Sequence, residues 1–376
     1  MKLLTLKSDM KVLVTGANGF IGKNLTIRLN ELGTQVKAFT RDDSIQDLES
    51  LVDEIDFVVH LAGENRPKSE RDFGVVNVGL TQSICDAVRL SGRRISIILA
   101  SSTQATLDNA YGRSKLDAET FLKDFENETR CPVYIYRLPG VFGKWCKPNY
   151  NSVVATFCHN ISHNLPVQVN NPNFELNLVY IDDVVEEFIK RIQGVKAEKK
   201  ELLVLPEYKI KLGDLANQIK AFRESRDSLI TERVGSGLVS KLYSTYLSYI
   251  PPEKFSYSIP VYGDERGIFA ETLKTKDSGQ FSFFTVKPGV TRGGHYHHSK
   301  TEKFLVVQGR AKFGFRHVGS GETYEIITTS KELKIVETVP GWSHDITNIG
   351  AEDMMVILWA NKIFDPNNPD TIDHKV

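Results

Sequence analysis

Three glycines place the tightest constraint on this chain. Gly16, Gly19 and Gly22 follow directly on the apolar run KVLVT and open a stretch with apolar residues near helical spacing. A strand that turns this sharply into a helix needs residues without a Cβ at the bend. Gly16 permits the turn, Gly19 lets the backbone approach a pyrophosphate, and Gly22 lets the helix pack closely on the strand. The first helical turn, which carries Phe20 and Ile21, then offers unpaired N–H groups and the positive end of a helix dipole to an anion. A dinucleotide is the ligand class this arrangement suits.

The same alternation continues through the N-terminal half. The β-branched runs QVKAFT, DFVVHLAG, ISIILASS and PVYIYR are separated by amphipathic stretches such as NLTIRLNELG and SKLDAETFLKDFENE. Such alternation predicts βαβ units with helices on both faces of the strands. The fold class expected from Lys11 to Ile189 is therefore α/β, a Rossmann-like doubly wound parallel sheet. Beyond Lys211 one more helical stretch precedes LYSTYLSYIPPEKFSYSIP, whose paired prolines and aromatics read as a packed linker. From Phe255 the runs KFLVVQG, AKFGFRHV, ETYEIIT, LKIVETV and MMVILWA alternate with Gly, Ser, Asn and Asp turns, the pattern of an all-β jelly roll. The expected domains are residues 1–247 and 248–376.

Charge narrows the partners. Lys+Arg and Asp+Glu both number 47, so neither nucleic acid nor an anionic membrane is expected to bind. No apolar run is long enough to cross a bilayer and the first nine residues lack a signal-peptide pattern, which predicts a cytoplasmic protein. Cys85, Cys131, Cys146 and Cys158 have neither CxxC spacing nor a secreted framework, so reduced, partly buried thiols are expected.

Two groups of residues carry chemistry. Tyr111 and Lys115 stand one helical turn apart on one face. An ammonium beside a phenol lowers its pKa, and the phenol can then give a proton to the alkoxide formed when hydride reaches a ketone. Upstream, LASST ends a strand with hydroxyls able to polarise the same carbonyl. At the end of the second strand, where an acid would bind the ribose hydroxyls of NAD, stand Thr40 and Arg41; Arg41 suits a 2′-phosphate and favours NADP, although Asp42 and Asp43 follow. The alternative is that Arg41 is a solvated loop charge. In the C-terminal half, strand alternation puts His295 and His297 on one face and His298 on the other, with Glu302 and His344 to follow. Three imidazoles and a carboxylate suit Zn²⁺ or another first-row divalent metal. His298 is a candidate base or a surface histidine.

In order along the chain, TGANGFIG, DFVVHLAG, LASST, YGRSK, RLPGVFG and YIDDV resemble the extended short-chain dehydrogenase/reductase family. The resemblance implies Tyr111 as acid/base, Lys115 as its pKa tuner and ribose ligand, and Ser102 as the third member. Ser101 and Thr103 are the alternatives, because the segment before Tyr111 is shorter than is usual there. It further implies cofactor contacts at Gly16, Gly19, Phe20, Ile21, Gly22, Thr40, Arg41, Leu61, Ala62 and Gly63, a supporting helix carrying Asn77, and a structural His60.

Gly289, His295, His297, Glu302 and Gly309 match the first cupin motif in full; Gly341, His344 and Asn348 fit the second, with Pro340 directly before Gly341 instead of one residue further away. DERGIFAE and RGGHY resemble the sugar-nucleotide epimerases of 4-keto-6-deoxy sugars, which implies Arg266 at the diphosphate and Glu271 beside the substrate. In that metal-free group the histidine matching His295 is a base, whereas in metal cupins it is a ligand; the HxH pair with its spaced Glu302 favours the ligand.

VFGKWCKPNYNSVVATFC, LYSTYLSY, HYHHSKTEKFLVVQG and FDPNNPDT extend the likeness to the bifunctional capsular polysaccharide synthesis enzymes. That resemblance implies C3 epimerisation of UDP-2-acetamido-2,6-dideoxy-β-L-arabino-hexos-4-ulose by a zinc-binding cupin. NADPH reduction at C4 then gives UDP-2-acetamido-2,6-dideoxy-β-L-talose, a precursor of UDP-N-acetyl-L-fucosamine for capsule or O-antigen. It also implies a homodimer. The alternatives are a single-activity NADPH reductase with a structural zinc-cupin dimerisation module, a redox-neutral epimerase or dehydratase, and a nucleotide-sugar sensor without turnover.

Overall fold

The β-branched runs of the N-terminal half form one sheet in the computed structural model, which describes residues 10–65, 69, 73–195, 202–260, 262–264, 267–269, 273–275, 280–362, 367 and 369–376. Strands β1 (Lys11–Thr15), β2 (Gln35–Phe39), β3 (Phe57–His60), β4 (Ser96–Ser102) and β5 (Val133–Leu138) are all parallel, in the order β2-β1-β3-β4-β5. Helices α1 (Phe20–Glu31), α2 (Asp47–Asp53), α3 (Leu80–Ser91) and α4 (Ala110–Thr129) lie between them in the chain. Every residue of β3 is buried, as a central parallel strand covered on both faces must be. Leu13, Val58, Ile97 and Leu99 pack with Ile84 and Val88 of α3 and Leu122 and Phe125 of α4. The chain passes from β1 to β2 on one side and returns to β3 on the other, which opens a crevice at the carboxyl end of β1.

The chain divides into two compact units: one runs to Val141 and includes Asn177–Tyr208, the other joins Phe142–Leu176 to Lys209–Val376. In the second, two antiparallel five-stranded sheets form a sandwich. One sheet orders Ser256–Ser258, Lys334–Glu337, Glu302–Gln308, Met354–Ala360 and Gln280–Val286; the other orders Thr323–Thr329, Arg310–His317, Trp342–Asn348, Thr291–Tyr296 and Ile372–Asp373. Phe255 packs edge-on against Phe315 and Trp342 in its core. The expected α/β sheet followed by an all-β cupin-like domain is what the chain forms.

One segment differs from expectation. Within the stretch read as a linker, LYSTYL belongs to a helix, Gly237–Leu247, in which Leu242 to Leu247 are all buried. Six successive buried residues leave that stretch no amphipathic period to read. The paired prolines end in a single 3₁₀ turn, Pro252–Lys254. The same unit is cross-braced by Glu337, 1% exposed, which accepts from Lys303 Nζ at 2.7 Å and from Arg226 of the helix Leu212–Ser228. All four cysteines are unpaired and buried, as expected. Among the described residues no helix is long and apolar enough to cross a membrane.

Candidate functional site

At the crevice, the glycine turn is as close-packed as its sequence implies. Gly16 has φ +67°, and a Cβ there would stand 2.8 Å from the Ala62 nitrogen; a Cβ at Gly22 would stand 2.2 Å from the Gly16 carbonyl oxygen. At Gly63 a Cβ would meet Asn77 Oδ1 and Lys115 Nζ, each at 3.1 Å. Three separate segments, the β1 turn, the end of β3 and the first turns of α4, therefore converge on bare backbone.

A buried relay holds them, and its members were not all expected. Thr81 donates to the Asn77 carbonyl at 2.7 Å, so its oxygen is left to accept from His60 Nε2 at 3.0 Å. Nδ1 then carries the lone pair and accepts from the Thr15 hydroxyl at 2.7 Å. The Thr15 oxygen in turn accepts the Leu61 and Ala62 N–H groups, each at 3.2 Å. Burial, with the nearby Lys115 charge, pushes His60 down to about 3, so it is a neutral strut, as expected of a structural histidine. Asn77 lies in a π-helical turn, Gly74–Gly79, and donates to Ser114 Oγ at 2.9 Å, which ties the strut to α4. Thr15 and Thr81 carry no motif that could have announced them.

Asn109 caps α4 by accepting the Gly112 N–H at 2.8 Å, which sets Tyr111 and Lys115 on its opening turns. Lys115 Nζ lies 5.9 Å from the Tyr111 ring centroid and 3.4 Å from the Ala100 carbonyl oxygen. Of the three neighbouring hydroxyls, Ser102 is the one near enough to act on the Tyr111 phenol, whereas Ser101 donates at 2.6 Å to buried Glu119 and Thr103 is exposed at the head of a 3₁₀ turn. Glu119 also takes Arg137 through Nη2 at 2.7 Å. Burial pushes Lys115 down to about 8, against the opposing field of Glu119. Tyr111 departs from expectation: burial raises its phenol above the ordinary value, and Ser102 only opposes that rise. Desolvation of a phenolate outweighs an ammonium this far from the ring.

Arg41, just beyond β2, is exposed, and its Nη2 lies 3.1 Å from Glu64 Oε2. Asp43 accepts both the N–H and the hydroxyl of Thr40, at 2.6 and 2.9 Å, and shapes the turn that presents Arg41.

In the sandwich, His295, His297, Glu302 and His344 converge, with one potential ligand atom from each lying within 4.8 Å of all the others. Two glycines make this possible. Gly293 and Gly294 have φ +99° and +82°, and the ladder slips between Gly293 and His295, so that His295 pairs with His344 across the strands. Glu302 Oε2 lies 3.2 Å from His297 Nε2 and 3.4 Å from His344 Nε2, and its Oε1 lies 2.9 Å from Lys300 Nζ. Burial alone would raise the Glu302 carboxyl; the hydrogen bonds and charge of the two histidines hold it well below the usual range. Burial, then the neighbouring His344 and His297, push His295 down to about 3.

Asp370, which no spacing rule connects to this cluster, orients it. Its carbonyl binds His297 Nδ1, and its carboxylate accepts the N–H groups of His298, Ser299 and Lys300 at 2.8, 2.8 and 2.7 Å. With Nδ1 of His297 on that carbonyl, Nε2 is the ring nitrogen left to face the Glu302 carboxylate. Imidazole nitrogens and a carboxylate oxygen gathered in this way are ligand types that would suit a first-row divalent cation. His298 is not brought to the cluster; its ring packs on Tyr296, as strand alternation predicts. Arg266 and Glu271 lie outside the described residues.

These two sites and the folds that carry them define a class. Residues 12–205 match the NAD dependent epimerase/dehydratase family, to which the chain belongs, and residues 262–372 match the Polysaccharide biosynthesis C-terminal domain. The likeness is close to particular proteins: the chain is 57% identical, over 96% of its length and 98% of the relative's, to the UDP-2-acetamido-2,6-beta-L-arabino-hexul-4-ose reductase of Pseudomonas aeruginosa. It is 42% identical to the solved structure of the capsular polysaccharide assembling protein CapF from Staphylococcus aureus, covering 98% of this chain and all of that one with a TM-score of 0.68. The Bordetella bronchiseptica enzyme WbmF, solved in complex with NADH, shares the fold alone: 21% identity, 57% of this chain, 77% of its own, TM-score 0.51.

Proposed function

We propose that this chain is a bifunctional nucleotide-sugar enzyme. In this reading the cupin inverts C3 of UDP-2-acetamido-2,6-dideoxy-β-L-arabino-hexos-4-ulose. The N-terminal site then reduces C4 with NADPH to UDP-2-acetamido-2,6-dideoxy-β-L-talose, toward UDP-N-acetyl-L-fucosamine. The observation that carries the reading is Tyr111 beside buried Lys115 on the opening turns of α4, with Lys115 Nζ reaching the close-packed Gly63 of the dinucleotide crevice. The 57% identity to a reductase named for that keto sugar supports the substrate.

Bound NADPH would supply hydride. Tyr111 gives its phenolic proton to the developing alkoxide, Ser102 holds the carbonyl oxygen, and the Lys115 charge favours the tyrosinate left behind. Gly16, Gly19, Phe20, Ile21 and Gly22 cradle the pyrophosphate, Thr40 and Arg41 receive the 2′-phosphate, and Leu61, Ala62 and Gly63 line the cofactor's ribose side. In the cupin, a zinc ion on His295, His297, Glu302 and His344 would supply positive charge to an enolate oxygen. His298 carries the proton in this proposal, and Arg266 and Glu271 bind the substrate. A 4-keto group acidifies the C3 hydrogen, so inversion must precede reduction. The two activities divide at residues 247/248, in a homodimer. Four unpaired thiols suit a reducing compartment, the cytoplasm.

The test is C3 deuteration of the 4-keto UDP-sugar in D₂O, followed by NMR before and after NADPH is added. Exchange before NADPH, then loss of NADPH absorbance, is expected; its absence would leave a single-activity reductase with a structural zinc cupin. That second reading draws support from His298, whose ring lies off the ligand cluster. Exchange unchanged in His298→Ala would remove that residue from the reaction.

A further inference from the structure

Arg41 and Glu64 meet across the crevice, not beside it. Arg41 lies two residues past β2 and Glu64 four past β3, and β1 stands between those strands. The strand ends are thus two inter-strand spacings apart, about 9.6 Å. Their Nη2–Oε2 contact of 3.1 Å therefore joins the loops that follow β2 and β3, at the end of the sheet where β1 turns at Gly16. That turn is where a dinucleotide's pyrophosphate approaches the backbone. The ion pair and a bound dinucleotide therefore contend for one space.

The two partners are unequally held. The Glu64 side chain is 17% exposed and that of Arg41 84%. Glu64 is fixed through its backbone: its N–H donates to Asn77 Oδ1 at 2.8 Å and its carbonyl accepts from Asn77 Nδ2 at 3.3 Å. Its second carboxylate oxygen accepts the Asn65 N–H at 3.0 Å. Arg41 is the arm that can swing, and Glu64 is the post.

We propose that the Arg41–Glu64 pair is a latch over the cofactor groove, which a dinucleotide must open. NADPH opens it by exchange, because its 2′-phosphate gives Arg41 a dianionic partner in place of the carboxylate. NADH opens it without replacement. Glu64 is thereby a determinant of cofactor affinity that touches the cofactor only through Arg41. The proposal rests on the reductase reading given above.

Equilibrium titration of the full chain with NADPH and with NADH tests it. Glu64→Gln keeps an acceptor for the Asn65 N–H and removes the charge. An exposed ion pair of ordinary strength predicts that both dinucleotides bind about twofold to fivefold more tightly to this variant. Arg41→Ala separates the latch from a plain phosphate contact: NADPH binding falls roughly tenfold or more, while NADH binding tightens by the same factor as in Glu64→Gln. In the double variant NADH binds no more tightly than in either single one. If Arg41→Ala leaves NADH binding unchanged, or Glu64→Gln weakens either dinucleotide, the latch is overturned and the reductase reading survives. If the wild-type chain binds neither dinucleotide, both fall.

Discussion

The Tyr111 phenol, the proposed proton donor, stands between two opposed environments. Burial raises the phenol and Ser102 opposes that rise, so the phenol holds its proton until an alkoxide forms to take it. Tyr111→Phe should therefore cut ketone reduction by about 10²–10⁴-fold while NADPH still binds, read from NADPH absorbance alongside a binding titration. Lys115 bears the cost of this arrangement. Its folded pKa of about 8 lies below the ordinary 10.5, so above pH 10.5 neither state is charged and the penalty is absent. As the pH falls from 10.5 to about 8 the unfolded chain takes up the proton first, and stability drops; below 8 the full penalty is in place. Lys115→Met should stabilise the protein at pH 7 by on the order of 3 kcal/mol and abolish reduction, with a smaller gain at pH 10. Denaturant unfolding of wild type and variant at the two pH values measures this directly; equal gains would refute it.

At the scale of elements, two distant parts of the sandwich are made into one site. Strand Thr291–Tyr296 delivers His295 only because two glycines bend the ladder, and Asp370 pins the loop from His298 to Lys300 by its carboxylate and His297 by its carbonyl. Asp370→Ala leaves that carbonyl in place but frees the loop that runs on to Glu302. Such supporting contacts are worth about 10–100-fold in metal affinity, and a chelator-competition assay on the variant should report a loss of that size, with α4 chemistry untouched. Retention of wild-type metal affinity would mean that the loop holds its form without Asp370.

For the molecule as a whole, the four converging side chains in the sandwich would tie folding to a metal in the proposed reading. Removing the ion with a chelator should lower the melting temperature, and Zn²⁺ should restore it, since whatever binds only the folded chain stabilises it. Chelation should also stop C3 deuteration while sparing NADPH-linked reduction of an already epimerised ketone. Loss of both activities together would argue for a purely structural ion.

The parts legible in the sequence were those decided over short spans. The turn at Gly16 to Gly22, the Tyr111–Lys115 face, and the alternation that pairs His295 with His297 and turns His298 away all follow from local backbone periods. The alternating runs likewise determined the parallel sheet and the all-β half. The tertiary structure alone decided which hydroxyl meets Tyr111, because Ser101 and Ser102 point to opposite faces of a strand and only one of those faces has Glu119 waiting. It alone joined Thr15 to His60 across 45 residues, His297 to Asp370 across 73, and Arg41 to Glu64 across 23. It also revealed the helix Gly237–Leu247, whose last six residues are buried in succession and so show no period. Residues with a fixed spacing announce themselves through the backbone; residues that meet by packing do so through a core that forms only when the whole chain has folded.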